Sequence, residues 1–197
     1  MAGVPIEPRV VRDPRVMRAL AHPLRLRLLD LVAEEGSLTS TRASQLTGES
    51  TGSCSFHLRQ LAKYGFLEPA EGGRGRERPW RVADVDTTWS PLPEDLEASA
   101  AADALSGELL GSGLDALARY HRLRHGFPAK WREAGLISTS LLFLTAEELA
   151  EVQGEVVAIV RRYLDRLREP DRRPEGARPV RLVSFAAPLV PAEHRDG

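Results

Sequence analysis

Between Ser50 and Tyr64 the chain sets out Thr51, Gly52, Ser53, Ser55, Phe56, His57, Arg59 and Lys63, small, polar and basic residues with one aromatic pair among them. At about 100° per residue, Cys54, Leu58 and Leu61 share one helical face at i, i+4 and i+7. Gly52, Phe56, Arg59 and Lys63 gather on the opposite face, flanked by Ser53, Ser55 and Gln60. Such a face can bond to base edges and phosphates, and its small N-terminal residues let a helix approach a major groove about 12 Å wide. Phe56 either presses on a thymine methyl group or packs against neighbouring chain such as Trp80; His57 reads as a partly buried, hydrogen-bonded histidine before it reads as a base contact. Arg42, on the preceding segment, joins the candidate DNA-binding set. So do Arg74 and Arg76, two cations in a glycine-rich run suited to a phosphate or a minor groove.

Other chemistry is sparse. Cys54 is the single cysteine, which permits no internal disulfide, and its place on the apolar stripe makes it a structural residue rather than a redox sensor, which needs exposure and a lowered pKa. His121 and His125 sit at i and i+4, but a metal site needs about four donors, and Arg119, Arg122 and Arg124 crowd them; no metal or other cofactor is expected. Gly107 to Gly113 lacks the strand context of a nucleotide fingerprint. With no convergent nucleophile and base, an enzyme is not expected.

The elements that must position the candidate face can be read in turn. A short amphipathic stretch, Asp13 to Leu20, precedes His22-Pro23, and Pro23 opens a helix to about Glu35 with Leu24, Leu28, Leu31 and Val32 on one stripe. Ser37 to Thr41 offers caps for a third, short helix to Thr47, Gly48 to Ser50 break the chain, and the fourth helix runs to Tyr64. A short helix, a glycine-containing turn and a second helix with a polar outer face form the helix-turn-helix pattern. Phe66 to Glu71 and Pro79 to Val82, around Gly72 to Arg78, read as a hairpin, in this position a wing.

His22-Pro23-Leu24-Arg25, Leu28-Leu29-Asp30-Leu31, Ser55-Phe56-His57-Leu58-Arg59-Gln60-Leu61 and Gly65-Phe66-Leu67-Glu68 together resemble the winged-helix domain of ArsR-type bacterial transcriptional regulators, over roughly residues 10–83. The resemblance implies a dimeric DNA-binding repressor in which positions matching Thr51, Gly52, Ser55 and Phe56 face bases. Gly52 and Phe56 depart from the polar residues more usual there, so base preference does not carry over. The cysteine-based sensing motif of that family has no counterpart here.

The remaining chain reads as helical. Glu94 to about His125 is alanine-rich, with Gly107, Gly111 and Gly113 expected to loosen its middle. Ile137 to Leu144 reads as a strand, Thr145 with Glu148 as a capping box opening a helix to about Arg168, and Val180 to Phe185 as a second strand. A small-molecule effector pocket walled by Trp131, Phe143 and Tyr163 stands beside the reading of these three as plain core.

The expected fold class is mainly α with a small β component (α+β). A winged helix-turn-helix domain (10–83) is followed by a linker (84–93), a helical dimerisation and ligand-binding region with two short strands (94–190) and a tail (191–197). Residues 1–83 hold 13 Lys and Arg against 9 Asp and Glu, and 84–197 hold 14 against 19, so the formal charge of −1 divides into +4 and −5. The basic half suits a local polyanion partner. No apolar run approaches the roughly 20 residues that span a bilayer, and the N-terminus lacks a signal-peptide pattern. The expectation is therefore a cytoplasmic homodimer that binds double-stranded DNA and no membrane. The alternative is a winged-helix protein-interaction or ligand-binding module whose main activity lies in the C-terminal half.

Overall fold

A computed structural model describes residues 9–73, 77–83, 87–89, 95–135 and 137–189. A short strand β1 (Arg9–Val11) leads into α1 (Pro14–Leu20), α2 (Pro23–Glu35), α3 (Ser40–Thr47) and α4 (Thr51–Lys63). Strands β2 (Leu67–Pro69), β3 (Trp80–Val82) and β4 (Thr87–Trp89) follow, then α5 (Leu96–Leu123), α6 (Ala129–Ala134), α7 (Ala146–Arg161) and α8 (Asp165–Arg168).

Each N-terminal helix starts where a side chain satisfies an otherwise orphaned backbone N–H. Asp13 accepts from the Arg15 amide at 2.8 Å. His22 Nδ1 accepts from Leu24 at 3.1 Å, with Pro23 at the first helical position. Thr39 accepts from Arg42 at 3.2 Å and Ser50 from Ser53 at 3.1 Å. Gly48 closes α3 at φ +79, a left-handed conformation that a side chain would strain.

The four helices enclose one apolar core. Cys54, Leu58 and Leu61 are 0% exposed, as their spacing predicted, and meet Met17, Leu28, Leu31, Val32, Leu38, Phe66 and Val82. Ala101, Ala102 and Leu105 of α5 belong to the same cluster, so the first turns of α5 close the helix-turn-helix core against α1. The small side chains bring the two helices close, and Arg18 of α1 reaches Glu97 of α5 at 2.7 Å.

Strands β2 and β3 pair antiparallel, Leu67 with Val82 and Pro69 with Trp80, and a cross-strand ion pair joins Glu68 to Arg81 at 2.8 Å. Leu38 adds a bridge to Trp80 through two backbone hydrogen bonds of 2.9 Å, tying the wing to the start of α3. Strands β1 and β4 pair in parallel, Val10 opposite Thr88, so part of the segment expected as a linker is a strand.

Several C-terminal expectations are corrected. Residues 137–144 and 180–185 form no strand: their backbone makes no ladder, and Leu141, Phe143, Leu182 and Phe185 are exposed. An apolar run becomes a strand only with a partner edge, and among the described residues none lies beside either run. Helix α5 is continuous through Gly107, Gly111 and Gly113. The capping box at Thr145 and Glu148 forms as read, with hydrogen bonds of 2.8 and 3.2 Å. The helix it opens ends at Arg161, and after a turn the short α8 follows.

The chain beyond α7 returns to the N-terminal domain. Arg173 donates to the carbonyls of Ala33 at 2.7 Å and Glu34 at 3.0 Å, in the last turn of α2, and to that of Arg166 at 2.9 Å. Arg168 bonds to the carbonyl of Ala83, and Arg181 pairs with Asp30. Gly36, at φ +78, lies against Pro170, whose Cγ would stand 2.9 Å from a Cβ there.

Candidate nucleic-acid interface

Helices α3 and α4 present the candidate interface, and the turn between them is pinned by short polar contacts. Ser44 Oγ donates to the Glu49 carbonyl at 2.6 Å, Thr47 Oγ1 to that of Ala43 at 2.8 Å, and the Glu49 amide to Thr47 Oγ1 at 3.2 Å. Thr47 Oγ1 also lies 3.6 Å from Cys54 Sγ, where α4 enters the core.

The buried stripe of α4 fixes its rotation, and the opposite side is open. Thr51, Gly52, Arg59 and Lys63 are exposed, and Ser53, Ser55 and His57 are half-buried at the flanks. Phe56 is 49% exposed, its ring meeting the His57 edge at 5.2 Å. A Cβ at Gly52 would find only Ser50 Oγ, at 3.9 Å, among the described residues, so none of these requires glycine there. The Lys63 ammonium lies 5.5 Å from the centre of the Tyr64 ring. Arg42 is exposed on α3 and pairs with Glu35 at 3.5 Å. Arg74 and Arg76 lie outside the described residues.

His57 is held differently from the sequence expectation. It is half-buried, but its Nδ1 has no hydrogen-bond partner among the described residues. Its ring centre lies 4.6 Å from that of His22, the two planes tilted by 43°. Burial pulls its pKa below the ordinary histidine value, His22 and Arg25 pull in the same direction, and Glu49 opposes them. Cys54 is fully buried, which supports its structural reading.

A cleft that the sequence did not single out lies beside the recognition face. Arg15 and Ala19 with Arg18 of α1, Arg25 of α2, Gln60 of α4 and Tyr64 line about 260 Å³. Arg25 Nη2 donates to the Arg18 carbonyl at 2.9 Å, while its buried Nε meets no acceptor among the described residues. The three arginines come from two helices and the polar pair from a third, so no sequence spacing groups them. The suggested effector residues do not enclose a pocket. Phe143 is 95% and Tyr163 54% exposed, Tyr163 stacks on Arg166 at 4.8 Å, and half-buried Trp131 lies 5.9 Å from Arg178. Among the described residues no group of three or more His, Cys, Asp or Glu is placed to hold a metal ion.

A pinned turn, a recognition helix with a buried apolar stripe and an open polar face, and an antiparallel pair behind it define a winged helix-turn-helix domain. Residues 20–70, about a quarter of the chain, match the family model described as a helix-turn-helix domain. This agrees with the resemblance of the motifs to ArsR-type regulators. One solved structure similar to this chain is the homodimeric winged helix-turn-helix DNA-binding domain of a possible ArsR-family transcriptional regulator from Mycobacterium bovis. It is 22% identical, with 54% of this chain and 78% of that one covered and a TM-score of 0.32. Another is a MarR mutant from E. coli complexed with operator DNA, 12% identical, covering 75% of this chain and 84% of that one, with a TM-score of 0.30. No curated protein matches the chain.

Proposed function

We propose that the protein is a transcription regulator that binds double-stranded DNA as a homodimer, with α4 in the major groove and the wing on the backbone or in the minor groove. The observation that carries this reading is the open face of α4. Gly52, Phe56, Arg59 and Lys63 stand outward while Cys54, Leu58 and Leu61 anchor the helix. A glycine that the fold does not need, beside an exposed phenyl ring, suits a surface that another molecule covers.

Self-association is supported by the apolar side chains that one copy leaves uncovered, Leu110, Leu114 and Leu117 on α5 and Val152 and Ile159 on α7. The repressor role follows from the ArsR resemblance. No helix among the described residues is long and apolar enough to cross a membrane.

Fluorescence anisotropy on the DNA upstream of its own gene tests the reading, with sedimentation of the free protein reporting the dimer. A salt-sensitive complex is expected. Replacing Arg59 and Lys63, or Arg74 and Arg76, with Ala should weaken binding to every sequence and lower the salt slope by about one or two. Changes at Gly52 or Phe56 should alter base preference. If none of these substitutions affects binding, the placement of recognition helix and wing is wrong.

A further inference from the structure

The cleft of Arg15, Arg18, Arg25, Gln60 and Tyr64 holds more positive charge than the fold uses. Glu97 neutralises one edge of Arg18 at 2.7 Å and the Asp13 carboxylate stands 2.8 Å from the Arg15 amide, so among the described residues three guanidiniums against these two carboxylates leave an excess of about one positive charge at neutral pH. Arg25 is half-buried, whereas Arg15 and Arg18 are exposed. Its Nη2 is used on the Arg18 carbonyl, its Nε is buried without an acceptor among the described residues, and burial lowers its pKa from the ordinary guanidinium range. A charge in that position is stabilised by an anion and destabilised by another cation.

We propose that this cleft binds a phosphate group. The guanidinium fork matches phosphate oxygens in charge and in bidentate geometry. The Gln60 amide can add a neutral donor from the recognition helix itself. The space of about 260 Å³ takes a phosphate with part of whatever carries it. A backbone phosphodiester of DNA, with one charge, balances the local excess, and a phosphate monoester, with a charge of about −1.5 to −2 at pH 7, offers the same oxygens. A phosphate seated here touches α1, α2 and α4 at once, and so links the recognition helix to the helix that packs on α5.

The full-length protein is titrated with inorganic phosphate at constant ionic strength, against chloride, while the backbone amide resonances of Arg25, Gln60 and Tyr64 are followed. In parallel, binding to a short DNA duplex is measured across salt concentrations. Both are repeated with Arg15→Gln plus Arg18→Gln and with the charge-matched control Arg27→Gln plus Arg119→Gln, while Gln60→Glu, which places a carboxylate in the cleft but also on the recognition helix, is used in the phosphate titration alone.

Saturable phosphate shifts at the three amides, lost in both cleft variants and kept in the control, with an unchanged DNA salt slope, identify a site for a free phosphate compound. A salt slope lower by about 0.9 in Arg15→Gln plus Arg18→Gln than in the control, with no phosphate shifts, identifies a backbone phosphate. Cleft variants that match the control in these measurements overturn the proposal. The phosphate titration needs no DNA, so a protein that failed to bind DNA would still decide it.

Discussion

Replacing Arg173 with Ala should loosen the last turn of α2 although the residue lies far away in sequence. The last four carbonyls of a helix have no partner within it, and Arg173 supplies donors to two of those of α2, those of Ala33 at 2.7 Å and Glu34 at 3.0 Å. Its Nε holds the Arg166 carbonyl at 2.9 Å, which fixes the guanidinium. A hydrogen bond involving a charged group contributes about 1.5–3 kcal/mol when shielded. The Ala33 bond is partly buried and the Glu34 bond exposed, so the pair is discounted to about 2 kcal/mol in all, solvent screening having most effect on the second. For a domain of this size that is about 4–8 °C in Tm. Urea denaturation gives the free energy, and hydrogen exchange from Gly36 to Thr39 reports whether the loss is local to the α2–α3 junction. Arg172→Ala is the neighbouring control, because among the described residues Arg172 pairs within its own segment, with Asp165 and Glu169 on the surface. If Arg173→Ala leaves the midpoint within error of wild type, or Arg172→Ala matches it, the capping argument is wrong.

Other outcomes follow from the same geometry. Phe56→Ala removes a ring already half in solvent, so its stability cost should be about 1 kcal/mol, whereas selection of bound fragments should show a changed base preference. Leu58→Ala opens a hole where the side chain is 0% exposed, and its cost in denaturation should be about 2–5 kcal/mol. His57 has a folded-state pKa below its ordinary 6.5. As the pH falls through that value the unfolded chain takes up the proton first, and stability should decline until the folded histidine is protonated as well. A smaller decline in Tm between about pH 7.5 and pH 5.5 for His57→Gln than for wild type would be measured by thermal unfolding, and equal declines would remove His57 as the cause.

The N-terminal domain was legible because its signals are local. The i, i+4, i+7 spacing of Cys54, Leu58 and Leu61 fixed the rotation of α4, and the caps at Thr39 and Ser50 lie next to the turns they end. The pairing of β1 with β4 joins residues 9–11 to 87–89, and nothing within either short segment names its partner. The same holds for the role of α5. An alanine-rich stretch reads as helix, but its membership of the core depends on how closely Ala101 and Ala102 let it approach α1. The apolar runs at 137–144 and 180–185 looked like strands because composition cannot say whether an edge is there to meet them. At the candidate site, the outer face of α4 was read from one helix, whereas the arginine cleft is assembled from three and left no trace in spacing.

Helix α5 has 28 residues, about 42 Å at 1.5 Å per residue. Its first turns are clamped into the core through Ala98, Ala101, Ala102 and Leu105, while Leu114 and Leu123, farther along, are exposed. Mechanically this is a lever with its fulcrum inside the helix-turn-helix domain. A tilt of about 10° at the fulcrum moves Leu123, about 27 Å beyond Leu105, by about 5 Å, and a load at the far end returns to α1 as a torque through the short arm of Ala98 to Leu105. Whatever grips the distal turns of α5 therefore acts on the helix-turn-helix domain through the length of the helix.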